Sequence, residues 1–152
     1  MRENASYWGQ AGAGVLFVCL EDNTLLLMKR SPYVEQPNTW GIPGGSIKGE
    51  EMFASEESHA GPPSNGVFWA GVVREVIEEC GSVPVFKYLN FVDYVDGSFI
   101  YRNFVLDISK ETKRDWAIKL NWENTEYAWF KIEDLPDNLH FGVVYLLDTL
   151  GL

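Results

Sequence analysis

"GVVREVIEECG", residues Gly71 to Gly81, sets Glu75, Glu78 and Glu79 close together beside Arg74. At about 3.6 residues per turn, positions three and four apart share one face of a helix, so the three carboxylates would form a single acidic ridge. Trp69, Val72, Val73, Val76, Ile77 and Cys80 fall on the opposite side, at the offsets of a core-facing stripe. Gly81 supplies a left-handed stop just after the last periodic residue, which leaves the ridge near the helix C-terminus. That end of the macrodipole disfavours each carboxylate by ~0.3–1 kcal/mol, and like charges four apart add a similar penalty. A divalent cation would relieve both. A solvated acidic face is the competing explanation for this stretch taken alone.

A second feature lies upstream in "NTWGIPGGSIKGEE", Asn38 to Glu51, where Pro43-Gly44-Gly45 and Gly49 make a backbone able to turn tightly and approach a ligand closely. Together the two stretches resemble the signature of Nudix hydrolases, G-x5-E-x7-R-E-U-x-E-E-x-G-U with U aliphatic. Arg74-Glu75-Val76-Ile77-Glu78-Glu79-Cys80-Gly81 matches its second half, and Gly44 to Glu50 or Gly45 to Glu51 its first. Ser82 stands where the pattern has an aliphatic residue. About fifteen residues, "MFASEESHAGPPSNG" from Met52 to Gly66, separate the halves, and their Gly, Pro, Ser and Asn content predicts a loop. Loop insertions cost little in closure entropy, so the halves can still meet. The resemblance implies a salt bridge from Glu50 or Glu51 to Arg74.

Along the rest of the chain, Ala13 to Leu20 and Asn23 to Arg30 are expected to form a hairpin turned at Glu21-Asp22-Asn23, followed by a short strand around Trp40. Val85 to Val95, Ser98 to Ile108 and Glu126 to Ile132 are rich in aromatic and β-branched residues and predict strands, with a turn at Asp96-Gly97. Phe141 to Leu150 predicts a second helix. The expected class is α/β, with a mixed sheet and helices on both faces, similar to the Nudix α/β/α sandwich. A length of 152 residues suits one domain spanning the whole chain.

No apolar run approaches the ~20 residues of a membrane span, and "MRENASYWGQ" lacks a signal-peptide core, so a cytoplasmic protein without a membrane partner is expected. Cys19 and Cys80 lack metal-type spacing and are expected to be buried free thiols. A net charge of −10 disfavours binding to a long nucleic acid, which needs many Lys and Arg side chains.

The resemblance implies hydrolysis of the pyrophosphate link in a nucleoside diphosphate joined to another group, with Mg2+ or Mn2+ as cofactor. Its implied ligands are Glu75, Glu78, Glu79 and the carbonyl of Gly44, with Arg74 orienting the carboxylates. The general base is expected at Glu75, or in the loop "LNWENTEYAWF", Leu120 to Phe130, at Glu123 first and Glu126 second. Gly44, Gly45, Arg30 and Trp40 are the expected substrate contacts. Trp8, Tyr33, Trp122 and Tyr127 are further candidates for stacking on a base, against the plainer expectation of core aromatics. His59 and His140 are assigned no role. ADP-ribose, a dinucleoside polyphosphate, a nucleotide sugar, a nucleoside triphosphate and a capped or triphosphorylated RNA 5′ end all stay open as substrates, as do an inactive nucleotide-binding or sensor domain and a purely structural interaction module. Assembly stays open between monomer and homodimer.

Overall fold

"AGAGVLFVC" runs without a charged residue, a composition suited to a strand covered on both faces. It forms β1 (Ala11–Cys19), every residue of which is buried. The computed structural model describes residues 11–47 and 65–152. Trp8, Gly49, Glu50, Glu51, His59 and the insert up to Ser64 lie outside the described residues, and with them the expected partner of Arg74.

The hairpin forms as expected: β1 turns into β2 (Thr24–Arg30), with Val18 opposite Leu25 and Cys19 opposite Thr24, through Asn23 at φ 60°. Beyond those two pairs the strands splay. The same edge of β2 then pairs with β3 (Trp40–Gly41), and the same edge of β1 with β4 (Gly44–Ser46). Gly44-Gly45 is therefore extended strand rather than the tight turn expected of it, with Gly14 opposite Gly44 and Ala13 opposite Gly45.

On its other edge β1 runs parallel to β6 (Phe99–Asp107), which pairs antiparallel with the edge strand β5 (Lys87–Asp96) across the expected Asp96-Gly97 turn. The outer edge of β2 pairs with β7 (Asn124–Lys131). The sheet is thus mixed and seven-stranded, in the order β3-β2-β1-β6-β5 with β4 and β7 attached to β1 and β2.

Alternation along the central strands sends residues to two cores. Val15, Phe17, Leu26, Met28, Phe104 and Leu106 pack with helix α1 (Asn65–Cys80) on one face. Leu16, Val18, Leu25, Leu27 and Val105 pack on the other face with the C-terminal helix, α3 (Phe141–Leu150). This is the expected α/β/α sandwich. Burying Phe68, Val72 and Val76 of α1 contributes ~1.5–3 kcal/mol each. Gly81, at φ 91°, ends α1 as expected.

Two expectations change. The helix begins inside the expected loop, since Asn65 and Gly66 are its first residues. A short helix, α2 (Lys110–Asp115), was not foreseen: with no buried residue it has no apolar stripe to read. It rests on a local cap, Ser109 Oγ accepting the Thr112 N–H at 3.0 Å, and on a tertiary tie, Lys113 Nζ reaching Asp22 Oδ2 at 2.6 Å and Thr24 Oγ1 at 3.0 Å. Both cysteines are free and buried, and burial raises each thiol's pKa, that of Cys80 to about 12. No helix among the described residues is long and apolar enough to cross a membrane.

Candidate functional site

Burial along α1 follows a four-residue beat: Val67-Phe68, Gly71-Val72, Glu75-Val76 and Glu79-Cys80 are buried pairs. Phe68, Val72, Val76 and Cys80 feed the core together with Val67, while Glu75 and Glu79 turn toward β4. Two of the three carboxylates are consequently inside the molecule, not on a solvated ridge. Ile77, expected in the core, is 51% exposed, and Glu78 beside it is exposed as well. The carboxylates divide because Glu75 and Glu79 are four apart on one line, whereas Glu78 is a step of about 100° away from Glu79.

β4 lies against that line. A Cβ on Gly45 would collide with the Glu75 carboxylate, and one on Gly44 with the Tyr101 hydroxyl and, at 2.6 Å, with the Ala13 carbonyl. Only glycine permits this approach of β4 to α1 at Gly45 and to β1 and β6 at Gly44. The Gly44 N–H donates to Glu79 Oε2 at 3.2 Å. Arg74 ties the same two elements together, donating from Nη1 to Glu75 Oε2 at 2.7 Å and from Nη2 to the Ser46 carbonyl at 2.8 Å, with Glu78 Oε2 at 3.6 Å from Nη1.

A bulge in β7 supplies the third side. Lys29 faces Glu126, but Arg30 faces Asn124, so one extra residue, Thr125, interrupts the register. The interruption turns Asn124 to the α1 side of the sheet, where it is buried and donates from Nδ2 to Glu79 Oε1 at 3.1 Å. Glu123, just ahead of it, is brought to the same cluster. Oxygens of Glu75, Glu79 and Glu123 all lie within 4.8 Å of one another. Burial foremost, then the Glu75 carboxyl and the charge of Glu123, push Glu79 up to about 9, against the pull of the Gly44 N–H.

Among the described residues, three carboxylates this close repel one another when ionised, and Glu75 is the one that Arg74 meets at 2.7 Å. An all-oxygen, anionic donor set of this kind fits a hard divalent cation such as Mg2+ or Mn2+.

The splay between β1 and β2 opens a cavity of about 560 Å³ beside the cluster. Glu75, Glu123, Gly44 and Gly45 line one end, and Tyr94, Phe99, His140 and Phe141 line the rest together with Arg30. Tyr101 lies against Gly44, and burial together with the charges of Glu79 and Glu75 raises its phenol well above the usual value. His140 caps α3, its Nδ1 accepting the Gly142 N–H at 2.9 Å. Burial, and then the charge of Arg30, lower its pKa, with Glu35 opposing.

The structure thus brings together Glu75, Glu79, Glu123, Gly44, Gly45, Arg30 and Arg74. Glu126 stands apart, exposed and 3.9 Å from Lys29, on the α3 side of the sheet by the regular alternation of β7, ahead of which the bulge lies. Trp40 packs edge-on against Phe130 at 5.0 Å and does not line the cavity, and neither do the exposed Tyr33, Trp122 and Tyr127. Sequence reasoning missed Asn124, Tyr101 and His140. Asn124 follows Glu123 directly, yet only the bulge gives it its direction.

A family model described as the NUDIX domain matches residues 9–150. Among solved structures, a MutT Nudix hydrolase from Burkholderia pseudomallei is similar at 22% identity and TM-score 0.61, covering 91% of this chain and 95% of that one. An Ap4A hydrolase binary complex from C. elegans is similar at 15% identity and TM-score 0.60, covering 92% and 95%. The Nudix domain of Shewanella oneidensis NrtR, complexed with ADP ribose, is similar at 18% identity and TM-score 0.55, covering 92% and 84%. No curated protein matches.

Proposed function

This chain belongs to the Nudix hydrolase family, and we propose that it hydrolyses the phosphoric anhydride of a nucleoside diphosphate linked to a further group, using Mg2+ or Mn2+. One observation carries the proposal: three glutamates with oxygens within 4.8 Å of one another, at the end of a cavity large enough for a nucleotide. A bound divalent ion supplies neutralisation of the anhydride oxygens, whose charge otherwise repels a nucleophile, and acidifies water.

The protein's residues divide the remaining work. Glu75 and Glu79 would hold the ion, with Glu78 and the Gly44 carbonyl as further donors. Asn124 and the Gly44 N–H fix the two oxygens of Glu79, and Arg74 fixes Glu75. The two buried carboxylates are therefore already aimed. Glu123 is the general base. Its Oε1 accepts from Asn121 Nδ2 at 3.1 Å, which orients the carboxylate and leaves Oε2 to take a proton from the attacking water. Arg30 serves the substrate phosphates, since its two Nη groups have no partner among the described residues while its Nε donates to the Glu35 carbonyl at 2.7 Å.

The test is product release from a panel of anhydrides with and without magnesium or manganese. ADP-ribose and Ap4A head the panel because similar structures carry those names, with a nucleotide sugar, a nucleoside triphosphate and a triphosphorylated RNA beside them. Metal-dependent turnover of at least one is expected, and Glu79→Gln should lower it by ~10²–10³. Wild-type rates in Glu79→Gln, or no hydrolysis of any member with either metal, would overturn the proposal.

A further inference from the structure

The cavity end away from the glutamates is built differently. Tyr94 meets Phe141 edge-on at 6.2 Å and Tyr145 at 5.1 Å, Phe99 lies beside Tyr101 at 6.3 Å, and His140 stacks on Phe141 at 5.1 Å with only 20° between the rings. Phe141 is nevertheless 55% exposed. A large aromatic left half in solvent at the mouth of a cavity offers a flat face to a ligand.

The start of α3 also sits here, and a helix N-terminus ordinarily attracts anions through its free amides. Those amides are occupied. Phe141 N–H donates to Gln36 Oε1 at 3.2 Å, Gly142 N–H to His140 Nδ1 at 2.9 Å, and Val143 and Val144 N–H to the His140 carbonyl at 2.9 and 3.2 Å. What remains is a set of aromatic faces and one ring donor. Because His140 Nδ1 accepts a hydrogen bond, the neutral imidazole carries its proton on Nε2, for which no described residue is an acceptor.

We propose that this end of the cavity is a nucleobase subsite selective for purines, in which Phe141 and Phe99 supply stacking faces and His140 Nε2–H donates to an acceptor on the base, such as the N7 that every purine presents. Phosphates point the other way. Arg30 lines the same cavity, with its Cδ and the His140 Cβ both beside Gly41, and its positive charge acts on His140 at the aromatic end. A purine offers the larger π face, and a sugar phosphate without a base leaves the aromatic end unfilled. The inference deepens the hydrolase proposal and rests on it for the direction of the substrate.

The experiment measures binding without turnover, using AMP, GMP, CMP, UMP and ribose 5-phosphate in the presence of magnesium. Purine monophosphates should bind about tenfold or more tightly than ribose 5-phosphate, as expected for one stacked base, with the pyrimidines between. Phe141→Leu keeps an apolar side chain without a π face, and should remove most of the purine advantage while leaving ribose 5-phosphate within about twofold. Phe141→Tyr should retain it. His140→Asn keeps an N-cap acceptor, so its melting temperature should hold while purine affinity falls. Equal affinity for all five probes, no detectable binding of any, or an equal loss for every probe in Phe141→Leu would overturn the subsite. Base-selective binding by a protein that hydrolyses no panel anhydride would uphold the subsite while removing the hydrolase proposal. Hydrolysis with no base selectivity would do the reverse.

Discussion

Asn124 Nδ2 donates to Glu79 Oε1 at 3.1 Å, joining a bulged strand to a helix far away in sequence and fixing one oxygen of the most buried carboxylate in the site. The Gly44 N–H holds the other oxygen. Glu79 is therefore oriented from two sides by neutral donors, which aim it without neutralising it.

Replacing Asn124 with Ala should leave Glu79 Oε1 buried without a partner, at a cost of ~1–3 kcal/mol in stability. Urea denaturation midpoints with and without magnesium check this. Turnover should fall further than the stability loss explains, since the ligand loses its aim. Full activity in Asn124→Ala would show that Glu79 needs no orienting partner.

Two neighbouring glycines should respond differently to the same change. A Cβ at Gly44 meets the Ala13 carbonyl at 2.6 Å as well as Tyr101, and backbone cannot move aside cheaply. Gly44→Ala should cost ~1–3 kcal/mol in stability through overpacking. At Gly45 the obstacle is the end of a side chain, the Glu75 carboxylate, which can rotate away. Gly45→Ala should accordingly fold nearly as well as the wild type but bind magnesium more weakly, a contrast that thermal unfolding and metal titration would reveal.

The hairpin of β1 and β2 and the turn at Asp96-Gly97 were legible because apolar patterning and turn chemistry are local. The same signal misplaced Glu75 and Glu79. Pattern reading sends carboxylates to solvent, yet α1 buries a strip wider than its apolar stripe, and the additional line of positions carries Gly71, Glu75 and Glu79. A glycine in line with two glutamates was a cue that something approaches closely on that side. Asn124 gave no such cue, because its direction depends on a register shift against β2, and register is a property of two strands rather than of either sequence. His140 looked like a loop residue, and became a cap and cavity wall only once α3 was placed against the splayed strands.

The protonation of Glu79 should make the metal-free protein sensitive to pH in a definite direction. Its folded pKa is raised from 4.5 to about 9, so the folded state binds the proton more tightly than the unfolded chain does. That contribution is fully present below about pH 4.5 and is lost as pH rises toward 9. Between about pH 7 and about pH 8.5, above the titration of His140, urea midpoints in EDTA should decline, and the decline should be smaller in Glu79→Gln. Magnesium at about a hundred times its dissociation constant should add ~2.7 kcal/mol and displace the proton, which calorimetry in buffers of different ionisation enthalpy would detect. Metal-free stability that rises with pH over this window would contradict the assignment.

Glu123 lies in the carboxylate cluster and lines the cavity, so its role as a base must be separated from a role as a ligand. Glu123→Gln preserves size and the acceptor facing Asn121 Nδ2 but cannot take a proton. If Glu123 is the base, kcat should fall by ~10²–10⁴ while the magnesium dissociation constant changes by less than about threefold, because Glu75 and Glu79 still hold the ion. Were Glu123 chiefly a ligand, magnesium affinity would weaken in step with kcat, and excess metal would restore much of the rate. Metal titration of kcat in this one variant therefore decides between the two, and recovery at high magnesium would move Glu123 from proton acceptor to metal ligand.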